Sequence, residues 1–180
     1  GGTVYAPGAS FAQPDYAGDI AVPNDQRSVI APSNSVTVGD LTIHVRGAHD
    51  PDAIEPVTYV IEHDEGTFFH GGDTKPSDDF AALGEEFDID VGVLAFGSDG
   101  RIGGENGPKP AHWYMSEDEV VAAANELQLD RLIPSHWDMW RGVGGNPAAL
   151  ADHVHSHDFP RVLETVRIGD RFDLNAPGVV

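Results

Sequence analysis

Three residues of metal-binding types follow predicted β-strands in this sequence. Asp73 lies near the end of the segment Phe68–Thr74, in which two glycines separate an apolar strand from the carboxylate. His136 comes shortly after the apolar strand Arg131–Pro134, and His49 follows a third strand. Ligands of α/β proteins gather at the carboxyl ends of strands, so these side chains are candidates for one site. Mixed histidine and carboxylate ligation suits Zn²⁺, Mn²⁺ or Fe²⁺.

Each of these segments also has an ordinary structural interpretation. Gly72-Asp73-Thr74 is typical of a turn whose aspartate caps a helix. A lone His136 beside Trp137, Met139 and Trp140 is typical of a partly buried histidine packed on aromatic rings. The three segments together favour a metal site more strongly than any one of them does.

The composition limits both the ligands and the partners. The 180 residues contain no cysteine, so a metal must be held by His, Asp or Glu. Thirty acidic residues against ten basic ones give a net charge of −20, which disfavours nucleic acid and anionic membranes as partners. No apolar run is long enough to span a membrane. We interpret the chain as cytoplasmic, from a salt-accumulating organism, with an ordinary acidic bacterial protein as the alternative.

The order of predicted elements indicates one α/β domain over residues 1–180. Val36–Val45 and Val57–His70 each predict a β-hairpin. Alternating helices and strands follow, which are in chain order helix Ser77–Phe87, strand Val91–Ala95, a helix after Ser116, strand Arg131–Pro134 and helix Pro147–His155. Val162–Val166 and Arg171–Leu174 predict a closing hairpin. Strands first and βαβ units later are typical of a layered α/β fold.

The helix after Ser116 carries the clearest local signal. Ser116 and Glu119 have the spacing of a capping box. Val120, Val121, Ala124 and Leu127 then form one apolar face.

These features together resemble the metallo-β-lactamase superfamily, most closely the branch that contains L-ascorbate-6-phosphate lactonase. The resemblance rests chiefly on Phe69–Thr74 and on Ile133–Trp140, supported by the Val38–His44 hairpin and the Asn146-Pro147 helix start. It covers nearly the whole chain. The His-x-His-x-Asp-His motif of that superfamily does not occur in these 180 residues. We therefore expect the C-terminal part of an αββα sandwich, lacking the N-terminal sheet and holding an incomplete metal site.

The resemblance implies a role for each candidate ligand. Asp73 would bridge two divalent metal ions, zinc or manganese, and His136 would be the last metal-binding histidine. His49 would be the intermediate histidine, with Asp50 as the alternative. Asp73 and His136 are therefore also the implied catalytic residues.

The resemblance also implies residues around the ligands. His70 and Asp138 would orient the ligands rather than bind metal. Gly97–Trp113 matches a loop that faces the substrate, and its basic residues Arg101, Lys109 and His112 are candidates for binding an anionic substrate. The alternative for that loop is a solvated surface segment.

The implied activity is that of a lactonase on a small carbohydrate-like or phosphorylated substrate, in which two metal ions share the attacking hydroxide. A phosphodiesterase or nuclease of the same fold is the first alternative, and a non-catalytic fragment is the second. The expected partner is a small-molecule substrate, and a homo-oligomer remains open.

Overall fold

The computed structural model describes residues 1–12, 22–97, 99–102, 107, 109–139 and 144–174. Trp140, one of the aromatic residues that follow His136 in the sequence, lies outside the described residues. No helix in the described ranges is long and apolar enough to cross a membrane.

A seven-stranded mixed sheet forms the centre of the fold. Its strands in chain order are β3 Ser35–Val38, β4 Leu41–Gly47, β5 Val57–His63, β6 Gly66–His70, β7 Val91–Ala95, β10 Arg131–Ser135 and β11 Val162–Leu163. The spatial order is β11-β10-β7-β6-β5-β4-β3. Strands β3 to β6 pair antiparallel, whereas β6, β7, β10 and β11 pair parallel. Both predicted hairpins and the predicted strands at 91–95 and 131–134 are confirmed.

Three helices pack against one face of this sheet: α2 Phe80–Glu86, α3 Glu117–Glu126 and α4 Pro147–Val154. Alternate strand residues point to opposite faces, and Val60, Phe69 and Leu94 point into the core that the helices close. On the opposite face, residues such as Phe68 and Val93 stay only half-buried. The layer order is therefore one sheet with helices on one side.

The predicted capping box of α3 is confirmed. Ser116 Oγ accepts from the Glu119 backbone N–H at 3.4 Å, and Glu119 Oε2 accepts from the Ser116 N–H at 2.8 Å. The two side chains thereby satisfy two backbone donors that the first turn of a helix leaves unpaired.

Smaller elements complete the described chain. They are β1 Val4–Ala6, α1 Gly8–Ala12, a 3₁₀ turn at Asn24–Gln26, β2 Arg27–Val29, β8 Asp99–Ile102 and β9 Lys109–His112. β1 and β2 form a parallel pair, and β8 and β9 form an antiparallel ribbon. The segment predicted as a loop at Gly97–Trp113 thus contains a β-hairpin.

Two expectations about local structure are wrong. Arg171–Leu174 forms no strand, and β11 pairs parallel with β10 instead of closing a hairpin. The Asp173 carbonyl accepts from Arg131 Nη1 at 3.1 Å, so a side chain takes the place of a strand partner. Helix α2 begins at Phe80 rather than Ser77, because Ser77 Oγ accepts the Asp79 N–H at 3.3 Å in a turn before the helix.

Candidate metal centre

The strands that precede the three candidate ligands all run in the same direction. β4 and β6 are both antiparallel to β5, and β6 is parallel to β7, which is parallel to β10. His49, Asp73 and His136 therefore follow strand ends at one edge of the sheet.

Asp73 and His136 come together at this edge. Asp73 Oδ1 lies 3.3 Å from His136 Nδ1, although strand β7 separates the strands that precede them. The contact joins the two residues for which the resemblance implies a catalytic role.

A tight glycine turn places Asp73. The Gly71 N–H donates to the Val93 carbonyl at 2.9 Å, which fixes the turn to strand β7. A Cβ on Gly71 would lie 3.0 Å from that same carbonyl oxygen, and Gly72 has a φ of +59°. Both positions favour glycine because of close approach and left-handed backbone, respectively.

His136 is held in an unusual backbone conformation. Its φ is +64°, a region that non-glycine residues rarely adopt and that costs free energy. The Tyr114 ring packs edge-on against the imidazole, with ring centroids 4.7 Å apart. His136 Nδ1 is buried and makes no hydrogen bond within the described part of the chain. The 3.3 Å contact with Asp73 is close enough for an ion pair but lacks hydrogen-bond geometry.

Backbone crowding surrounds the His136 turn. The Gly145 N–H donates to the Trp137 carbonyl at 2.9 Å, so the chain after His136 folds back on itself. A Cβ on Gly145 would lie 2.5 Å from the Phe96 ring and 2.8 Å from Gly97 Cα. This close approach fixes the backbone that follows His136.

His49 is joined to the segment that follows Asp73 through both its backbone and its ring. Its backbone N–H donates to the buried Thr74 hydroxyl at 2.9 Å, beside Asp73. Its Nδ1 lies 2.8 Å from the Pro76 carbonyl, a contact that fixes the ring. The alternative ligand Asp50 accepts the Asp52 N–H at 3.0 Å within a local turn. Among the described residues, no three His or carboxylate side chains are grouped closely enough to hold a metal.

The two predicted orienting residues lie beside the pair. His70 Nδ1 accepts the Gly72 N–H at 3.0 Å and so supports the turn that carries Asp73. Asp138 is exposed and lines a cavity of about 650 Å³ together with His70 and His136. Tyr59 is the cross-strand partner of His70, and burial raises the pKa of its hydroxyl.

The three predicted substrate-binding residues divide between the two faces of the β8–β9 ribbon. Arg101 pairs with Pro110, so Arg101 and His112 share one face and Lys109 lies on the other. His112 Nε2 lies 3.5 Å from Glu119 Oε2 on α3. The ribbon therefore does not present all three side chains to one site.

Sequence reasoning missed Lys75 and Tyr114. Lys75 is two residues from Asp73, and its Nζ donates to the His112 carbonyl at 3.1 Å. Lysine occurs in this chain only at positions 75 and 109, and this rarity could have marked Lys75 as a candidate. Tyr114 had no comparable signal, because its contact with His136 depends on the tertiary fold.

The Asp73–His136 pair suits a divalent metal ion. Two ligand atoms bound to one tetrahedral zinc ion at 2.0–2.2 Å lie about 3.3 Å apart. The observed separation of 3.3 Å matches that value, and the buried Nδ1 is a nitrogen without a hydrogen bond that faces a carboxylate oxygen. The pair can thus supply one nitrogen and one oxygen ligand.

The sheet, the helices on one face and the candidate ligands at the strand ends are those of a metallo-β-lactamase fold. Residues 4–137 match the family described as Beta-lactamase superfamily domain. The chain belongs to this family, which confirms the resemblance seen in the sequence. The family implies binding of a divalent metal.

Curated relatives carry more specific names. The chain is 28% identical over 123 residues to a UPF0173 metal-dependent hydrolase of an Exiguobacterium strain, a match covering 68% of this chain and 46% of the relative. It is 27% identical over 148 residues to a protein of Escherichia fergusonii named probable L-ascorbate-6-phosphate lactonase, covering 72% and 40%. The matches thus span less than half the length of these two relatives.

Solved structures share the fold. The metallo hydrolase Igni18 of Ignicoccus hospitalis superposes with a TM-score of 0.69 at 17% identity, over 93% of this chain and 66% of that one. The metallo-β-lactamase fold protein YhfI of Bacillus subtilis gives 0.61 at 17% identity, over 91% and 61%. At this identity the likeness establishes the fold alone.

Proposed function

We propose that the protein is a metal-dependent hydrolase that opens the lactone ring of a small, carbohydrate-like or phosphorylated substrate. The observation that carries the proposal is the contact between Asp73 Oδ1 and the buried His136 Nδ1 at the sheet edge. The name of the relative from E. fergusonii supports a lactone as the substrate class.

Asp73 and His136 would hold the metal. A divalent ion bound there polarises a carbonyl oxygen and acidifies water, so no serine or cysteine nucleophile is needed. His49 is the candidate for a further ligand from this chain, because the Pro76 carbonyl fixes its Nδ1 and leaves Nε2 for the metal.

Neighbouring residues would orient the candidate ligands and limit the access of water to them. His70 supports the Asp73 turn through the Gly72 N–H. Tyr114 covers one side of the His136 ring and thereby limits the rotation of the imidazole. Burial keeps His136 Nδ1 away from solvent, which strengthens its interaction with a charged ligand.

An assay of two substrates tests this proposal. A sugar lactone and a model phosphodiester are incubated with the protein, with Zn²⁺ or Mn²⁺ and then with a chelator. We expect metal-dependent lactone hydrolysis that falls by more than about 100-fold in Asp73→Asn, since loss of a ligand costs more than loss of its orienting partner.

Asp40→Asn is the matched control. Asp40 is exposed in the β3–β4 turn, at the opposite edge of the sheet, so the same chemical change there should leave lactone hydrolysis unaltered. Faster cleavage of the phosphodiester than of the lactone would overturn the substrate assignment. Lactone hydrolysis that persists in the chelator would overturn the metal dependence.

A further inference from the structure

Lys75 connects three segments around the candidate metal centre. It lies two residues after Asp73, and its backbone N–H donates to the His49 carbonyl at 2.7 Å. Its side chain reaches strand β9, where Nζ donates to the His112 carbonyl at 3.1 Å. One residue thus joins the two ligand-bearing loops to the ribbon that the sequence assigned to the substrate.

The ammonium group of Lys75 differs from other cations of the protein in its surroundings. Arg46, Arg131 and Arg161 each face a carboxylate, at 2.6, 3.3 and 2.9 Å respectively. Lys75 forms no ion pair within the part of the chain that the structure describes, and its Nζ donates instead to the neutral His112 carbonyl. This is unusual in a chain with thirty acidic residues and ten basic ones.

The Lys75 ammonium therefore retains capacity to bind an anion. It has three N–H donors, and the His112 carbonyl takes one of them. Lys75 is partly buried, so its charge is less screened than that of a fully exposed lysine. A net charge of −20 repels small anions at long range, so recognition of an anionic substrate requires a local cation of this kind.

We propose that Lys75 is a specificity-determining residue whose ammonium group binds the carboxylate or phosphate of the substrate. The hydrogen bond to the His112 carbonyl holds the ammonium group at strand β9, while the backbone of Lys75 lies two residues after Asp73. This inference rests on the proposed function, since it names the substrate class of the same site: a small hydrolysable molecule with an anionic group near the scissile bond.

Anion binding by the metal-free protein tests this role directly. Glucose 6-phosphate is titrated into the protein in EDTA, with amide NMR shifts as the readout and glucose as the uncharged comparison. Chelation ensures that the protein cation, rather than a metal ion, is measured. We expect saturable binding of glucose 6-phosphate that weakens about tenfold or more in Lys75→Met, because a charged hydrogen bond is lost.

Two further variants separate recognition from net charge and from folding. Lys75→Arg retains the charge and a donor for the His112 carbonyl, so it should keep most of the affinity. Arg161→Met removes one positive charge near Asp130, at the other end of the sheet, and should bind as tightly as the wild type.

Three results would overturn the proposal: no binding to the wild type, undiminished binding to Lys75→Met, or equal weakening in Arg161→Met. The measurement needs neither metal nor turnover. Lys75-dependent binding without lactone hydrolysis would therefore refute the proposed function alone, and lactone hydrolysis with Lys75-independent binding would refute this inference alone.

Discussion

Polar residues at the amino ends of the parallel strands make different contacts from those at the carboxyl ends. At the amino ends of β7 and β10, Asp90 accepts the Thr67 N–H at 2.7 Å, Asp130 pairs with Arg161, and Arg131 contacts Glu164 and the Asp173 carbonyl. These residues link strands and loops of the fold to one another.

At the carboxyl ends, the buried His136 Nδ1 faces the Asp73 carboxylate, and His136 has a left-handed backbone. A left-handed backbone at a non-glycine residue costs stability and persists where the surrounding structure imposes it. Under the proposed function, polar residues at the amino end of the parallel strands serve folding, and those at the carboxyl end serve ligand binding. Variants of polar side chains at the two ends should therefore separate stability from metal affinity.

The largest effect on stability is expected from Gly145→Ala, at the carboxyl end. The added Cβ would lie 2.5 Å from the buried Phe96 ring and 2.8 Å from Gly97 Cα, so the backbone beside Trp137 must shift. We expect a loss of about 2–3 kcal/mol in the free energy of unfolding, measured by urea denaturation, together with weaker zinc binding.

Gly47→Ala is the matched control for that variant. A Cβ on Gly47 meets no atom within 4 Å, so the unfolding free energy should change by less than about 0.5 kcal/mol. Equal stability of the two variants would show that the approach of Gly145 to Phe96 is not tight.

A smaller loss of stability is expected from Arg131→Met, at the amino end. Arg131 is nearly buried, whereas Glu164 is partly exposed, so breaking the pair should cost about 2 kcal/mol, less than for a fully buried pair. Zinc affinity, measured by calorimetry, should stay at the wild-type value. A marked loss of zinc affinity would contradict the separation between the two ends.

Much of the fold follows from local sequence patterns. The hairpins at 35–47 and 57–70 have strand periodicity and turn residues, and Ser116 with Glu119 specifies the start of α3. The segment Arg171–Leu174 has a strand-like pattern but no strand neighbour, because the Arg131 side chain takes its carbonyl. Periodicity reports which residues suit a strand, and the tertiary fold decides whether a partner is present.

The candidate site was only partly predictable. The residue types of Asp73 and His136 and their positions after strands predicted that the two lie close together. In the structure Asp73 Oδ1 lies 3.3 Å from His136 Nδ1. The ring direction of His49 depends on the Pro76 carbonyl, a contact between segments 27 residues apart. The sequence did not show that strand alternation puts Lys109 on the other face of the ribbon from Arg101 and His112.

Zinc calorimetry on the wild type, Asp73→Asn and His136→Asn tests the central claim most directly. Asparagine is chosen at position 136 because it tolerates the φ of +64° better than alanine does. His63→Asn, at the partly exposed end of β5 and at the opposite end of the sheet, is the control. We predict that the wild type and His63→Asn bind zinc equally and that both site variants bind more than about 100-fold more weakly. Wild-type zinc affinity in Asp73→Asn and His136→Asn would contradict the assignment of this pair as the metal centre.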